Sequence, residues 1–115
     1  MNWSEILLTI GCVVGISSGQ LLFKKAAQAF DPSAGWIVSA LNGWLISALV
    51  LYGAATLLWI YVLRTAPLAL AYPLFALAFM IVPVLSWVVL GEPLRPMTLA
   101  GGAIILVGVV IAVRG

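Results

Sequence analysis

Few side chains in this sequence can do chemistry, and they are spaced for recognition rather than bond-making. Ser17, Gln20 and Lys24 lie three and four residues apart, which on a helix places them on one face. A glutamine amide within hydrocarbon needs a hydrogen-bonding partner, and a lysine near the interface can snorkel while offering its ammonium to a phosphate. The stripe reads in two ways. Either it contacts an anionic head group, or Gln20 joins two helices and Lys24 anchors a span. Tyr61 and Arg64 make a second pair on one helical face, suited to gripping a phosphate and a sugar hydroxyl or to anchoring a helix at the interface. Tyr72-Pro73 and Pro83 interrupt backbone hydrogen bonding, and broken spans line binding cavities. Glu92, between Gly91 and Pro93, reads as a structural residue of a connection, with a coupling role as the alternative.

Catalytic constellations are missing from the pattern. The chain has no histidine and one cysteine, Cys12, so a transition-metal site built by this chain and an intrachain disulfide are not expected. No nucleophile and base pair, phosphate-binding loop or buried acid is recognisable, so the expectation is a protein that is not an enzyme and carries no cofactor.

The elements that must position these residues follow from composition. Of 115 residues, 65% are apolar and 7% charged, with a mean hydropathy of +1.28. These values require a lipid solvent. Five basic and three acidic residues give a net charge of +2. They are spread over separate loops, which does not make a nucleic-acid surface; membrane lipid is the expected anionic counterpart.

A hydrocarbon core of roughly 30 Å needs about 20 apolar residues per helix. Four segments qualify, near residues 6–23, 44–63, 68–90 and 97–113, and their ends are expected at Lys24-Lys25, Arg64, Gly91-Glu92-Pro93 and Arg114. The expected fold class is an all-α membrane protein, a single four-helix domain over residues 1–115. The first span lacks a basic leader and a small-residue cleavage site, so it is expected to be retained. Residues 32–43 read as a short interfacial helix, with Trp36 and Trp44 in the aromatic belt; a single tilted second span starting near Trp36 is the alternative. Lys24, Lys25 and Arg95 on one face, against Arg64 and Arg114 on the other, do not fix an orientation. In the last span, Gly101 and Gly108 share a face with Gly102 beside them, which predicts a packing or dimerisation seam. Four short spans do not readily enclose a large polar cavity, so a dimer is expected.

The run from Leu58 to Leu74, containing Arg64-Thr65-Ala66-Pro67 and Ala71-Tyr72-Pro73, resembles the drug/metabolite transporter superfamily, as do Gly91-Glu92-Pro93 and the glycine-spaced last span. With Ser18-Gly19-Gln20-Leu21 and Lys24, the resemblance covers nearly the whole chain. It is strongest to the small four-span, EamA-like subunits of the aminoarabinose-phosphoundecaprenol flippase. That resemblance implies a bundle like that of the small multidrug resistance proteins. It also implies an inner-membrane subunit that moves an undecaprenyl-phosphate-linked sugar, as a homodimer or with a related four-span partner. Gln20, Lys24, Tyr72 and Glu92 match the family pattern. The small multidrug resistance exporters are similar more distantly, but their membrane-embedded glutamate corresponds to a position near Ile16, and no acidic residue lies inside any expected span. A cation antiporter would lack its counter-ion and its proton carrier. A further alternative is an assembly subunit that transports nothing itself.

Overall fold

The computed structural model describes residues 2–114, apart from the side chain of Ala40. The terminal residues of the expected 1–115 domain, Met1 and Gly115, lie outside the described residues. Among the described residues four helical stretches are long and apolar enough to cross a membrane: Trp3–Ala29, Gly43–Leu63, Leu68–Leu90 and Pro96–Arg114. Among the described residues no strand forms, as expected where an open sheet edge would leave backbone groups unpaired in lipid.

Helix α1 (Trp3–Ala29) opens on a capping box: Glu5 N donates to Asn2 Oδ1 at 2.9 Å, and Asn2 N donates to the Glu5 carboxylate at 3.3 Å. Its far end corrects the expectation that Lys24-Lys25 end the helix. The helix runs on through Ala26, Ala27 and Gln28 to Ala29, because these residues are good helix formers and a charge ends a hydrophobic run, not a helix. At 1.5 Å per residue α1 is about 40 Å long, so its last turns stand beyond the hydrocarbon.

A 3₁₀ turn (Pro32–Ala34) and the short helix α2 (Trp36–Ala40) follow. Asp31 Oδ1 accepts from Ser33 N at 3.0 Å and Ser33 Oγ at 2.6 Å, and these bonds hold the Asp31 carboxyl below its ordinary value. Trp36 packs on Phe30 with centroids 4.9 Å apart, and Lys25 Nζ lies 5.6 Å from the Trp44 ring centre. A short helix therefore forms before the second span, as expected. A continuous second span from Trp36 does not, because Asn42 turns away from helix to cap α3 (Gly43–Leu63), accepting from Leu45 N at 2.9 Å.

The third span is broken. Helix α4 (Leu68–Ala71) tightens into a 3₁₀ segment (Tyr72–Leu77) at Pro73, returns to α-geometry in α5 (Ala78–Leu85) around Pro83, and widens into a π turn (Ser86–Leu90). The last span is α6 (Pro96–Arg114). Four successive crossings put Lys24, Lys25, Glu92 and Arg95 on one membrane face and Glu5, Arg64 and Arg114 on the other. A 3.4 Å bond from Thr65 Oγ1 to Glu5 agrees with this order.

Helix α1 lies at the centre, packed on α3 and on the third span, while α6 packs on the third span alone among its main contacts. Small residues set the α1–α3 seam. Gly11, Gly15 and Gly19 face α3 at four-residue intervals, and a β-carbon on Gly15 would stand 3.4 Å from that of Ala55. Lipid removes the hydrophobic drive between helices, so such close approach supplies the association energy through dispersion. The molecule is 18 Å through its thinnest dimension, hardly two helices thick. A body this thin cannot enclose a large cavity on all sides.

Candidate functional site

Two depressions meet at Ile16. The first, of about 400 Å³, runs between α1 and α5 and is lined by Ile16, Ser17, Gln20, Ala78, Phe79, Val82 and Pro83. The Ser17 hydroxyl is fully buried and has no hydrogen-bond partner among the described residues. An unsatisfied buried hydroxyl costs about 1–3 kcal/mol, which a ligand acceptor or a water would recover. Gln20 is exposed along the same groove. Pro83 has no N–H, so the Phe79 carbonyl loses its usual helical donor at the groove wall.

The polar stripe continues to Lys24, one turn beyond Gln20. Its Nζ lies 3.9 Å from Glu92 Oε1, with both side chains about half exposed, at 51% and 48%. Glu92 is delivered there by Gly91, whose φ of 71° is left-handed and favours glycine, and by a 3.3 Å bond from its own N–H to the Ser86 carbonyl. An ion pair this exposed is worth about 0–1 kcal/mol.

The second depression, of about 230 Å³, collects Tyr52, Thr56 and Trp59 from α3, Tyr72 and Phe75 from the third span, and Ile16 from α1. Trp59 meets Phe75 edge-on at 4.5 Å, and Tyr72 stands 5.9 Å from Phe75. Thr56 Oγ1 donates to Tyr52 O at 2.8 Å. The pocket thus offers aromatic faces, which bind sugar rings and cations, beside three hydroxyl groups. Tyr52, Thr56, Trp59 and Phe75 were not singled out from the sequence, although the first three fall on one face of α3 at intervals of four and three.

The sequence-derived residues are not one cluster. Ser17 and Gln20 line one groove, with the Lys24–Glu92 pair one turn beyond Gln20, and Tyr72 belongs to the aromatic pocket. Tyr61 and Arg64 stand at the opposite membrane face, both exposed, with the guanidinium 4.2 Å from the Tyr61 ring centre. One phosphate cannot touch Lys24 and Arg64 together. The glycines of α6 also separate. Gly102 is buried against the third span, where a β-carbon would come within 2.5 Å of Met80, whereas Gly101 and Gly108 have nothing within 4 Å. Gly102 therefore packs within the chain, while Gly101 and Gly108 leave their side of α6 open.

Residues 6–114 match the family model for the EamA-like transporter family. The chain belongs to that family. It is 36% identical over 93 residues, 81% of each chain, to a protein of Enterobacter sp. (strain 638) named as a probable 4-amino-4-deoxy-L-arabinose-phosphoundecaprenol flippase subunit ArnE. Proteins of the same name from Salmonella newport (strain SL254) and Salmonella typhimurium are 34% identical over 106 residues, covering 92% of this chain and 93% of theirs. No solved structure matches. Membership in the family, with the four apolar helices, makes this a multi-pass transport protein of the inner membrane and not an enzyme. Ile16, the side chain shared by both depressions, is apolar, so neither depression carries an acid there.

Proposed function

We propose that this chain is a subunit of a flippase for a polyprenyl-phosphate-linked amino sugar, the aminoarabinose-phosphoundecaprenol of its relatives' names being the leading candidate. The observation that carries the reading is a laterally open, largely apolar groove with Ser17 and Gln20 along it and an ammonium, Lys24, at its end. A polyprenyl tail stays in lipid while the head group travels along such a groove. Moving a charged phosphate through hydrocarbon unaided means dehydrating it, at a cost far above thermal energy. Ser17, Gln20, the Phe79 carbonyl and the Tyr52, Thr56 and Tyr72 hydroxyls stand in for water along the way. The sugar ring stacks in the aromatic pocket, where a protonated amine gains cation–π attraction from Trp59 and Tyr72. Lys24 and Arg64 then act as phosphate stations on opposite faces.

The working unit is a homodimer or a pair with a related four-span subunit. The single chain is too thin to enclose a head group, and Gly101 and Gly108 leave α6 open to close approach by a second helix. The test is transbilayer movement of a glycosyl-phosphoundecaprenol in proteoliposomes, with the chain alone and with a co-purified partner. Wild-type protein is expected to move the lipid, and Lys24→Ala, Arg64→Ala and Trp59→Ala each to slow it about tenfold, the loss of one contact of about 1.4 kcal/mol. Movement no faster than in empty liposomes under both conditions sinks the proposal.

A further inference from the structure

We infer that Glu92 holds the place of a phosphate on Lys24, so that the ion pair between α1 and the end of the third span is an exchangeable latch, opened when a lipid-borne phosphate takes the ammonium. The inference rests on the flippase reading and says how its groove distinguishes loaded from empty.

The pair has the properties of a temporary contact. Its 3.9 Å separation is at the limit of direct contact, and both side chains are half exposed. Among the described residues neither side chain makes a hydrogen bond. A structural ion pair is ordinarily bidentate, buried or supported by further bonds. Lys24, by contrast, presents a compact charge with three rotatable donors, free to bond a different anion.

Position gives the pair its consequence. It spans the two elements that form the groove walls, with Lys24 one turn beyond Gln20 on α1 and Glu92 at the end of the third span beyond Pro83. An anionic head group in that groove with its phosphate at Lys24 would place a second negative charge beside Glu92. One ammonium does not hold two anions without like-charge repulsion, so phosphate binding expels the carboxylate. Arg95 lies three residues on in the same loop as an alternative partner.

Release is transmitted because Glu92 is tied to the third span through its N–H bond to Ser86, the first residue of the π turn. A π turn is an irregular, readjustable part of a helix. The intact left-handed turn at Gly91 keeps the carboxylate aimed at Lys24 when the groove is empty. A neutral polyprenol brings no charge to compete for Lys24 and leaves the latch closed, so selection is for the phosphate.

Binding of radiolabelled decaprenyl phosphate and of neutral decaprenol to the full chain in phosphatidylcholine nanodiscs tests this. Wild type is expected to prefer the phosphate, Glu92→Gln to tighten phosphate binding about threefold to fivefold by removing its competitor with decaprenol unaffected, and Lys24→Gln to abolish the preference. Unchanged or weaker phosphate binding by Glu92→Gln, with the wild-type preference intact, overturns the latch and leaves the flippase reading standing. No preference in wild type overturns both. Phosphatidylglycerol competing as well as decaprenyl phosphate would mean a general phospholipid site and would also overturn the latch as a substrate device. A measurement that leaves the pair and Arg95 intact uses spin labels at Gln28 and Leu94: the distance is expected to lengthen with decaprenyl phosphate and not with decaprenol, and an unchanged distance counts against the exchange.

Discussion

The first and third spans line the same groove by opposite means. Helix α1 is unbroken over 27 residues, so its carbonyls are paired within the hydrocarbon and its chemistry comes from side chains: Ser17, Gln20 and Lys24. The third span is interrupted by Pro73 and Pro83 and passes through α, 3₁₀, α and π geometry in 23 residues. Its contribution is backbone and aromatic surface, together with a carboxylate on the far side of a left-handed glycine. The neighbours match. Helix α1 is fixed to α3 by glycines along its length, whereas the third span is held from outside by α6 at the close approach of Gly102 to Met80. A rigid wall with specific groups thus faces a deformable wall, an arrangement that lets a groove change width without losing its register.

The largest effect is expected where the rigid wall is made. Gly15→Leu places a side chain where even a β-carbon stands 3.4 Å from Ala55, and the backbones of α1 and α3 must separate. Overpacking of this kind costs about 1–3 kcal/mol, and this substitution belongs at the upper end because the opposing atom is a β-carbon, which cannot swing aside. Thermal unfolding in detergent checks it. A loss below about 0.5 kcal/mol would mean that α1 and α3 are not rigidly joined and would remove the contrast between the walls.

That seam is legible in the sequence. Gly11, Gly15 and Gly19 repeat at four-residue spacing, a stronger small-residue signal than the α6 glycines. Hydropathy revealed the four spans, because lipid demands apolar length whatever the packing. It did not reveal the true end of α1, since Ala26 to Ala29 continue a helix that has already left the hydrocarbon. Asn42-Gly43 is legible as a break, because an asparagine cap is a local device. The aromatic pocket was harder, as three elements contribute to it and only the tertiary arrangement shows that Trp59 faces Phe75. Tyr61 and Arg64 have phosphate-binding chemistry but lie at the membrane face opposite Lys24, as the order of the spans already requires.

A smaller effect is expected at the outer support of the deformable wall. Gly102→Leu meets the Met80 thioether, the end of a flexible side chain that can move. The cost should fall near the lower end of the same range, about 1 kcal/mol. Gly101→Leu and Gly108→Leu, with open space before them, should change chain stability by less than about 0.5 kcal/mol. Cross-linking of single-cysteine pairs on α6 then separates the two roles. Gly108→Leu should reduce association of the transporting unit while leaving chain stability alone, and Gly102→Leu should do the reverse. Equal stability losses at Gly101 and Gly102 would show that α6 does not sit as described.

A modest change of opposite sign, and the most informative for function, is expected for Pro83→Ala. A proline inside a helix forfeits a backbone bond at a cost of up to about 3 kcal/mol, but the surrounding span is already built around the break, so only about 0.5–1 kcal/mol should return. If deformability is what the third span contributes, restoring its ladder stiffens the wall and gives the Phe79 carbonyl a donor at the head group's expense. Stability should then rise slightly while transbilayer movement slows about fivefold, a separation that damage to the fold cannot produce. A variant that is both more stable and equally fast would show that the break serves only to fit the span against α6, and the groove would then owe its function to the side chains of α1 alone.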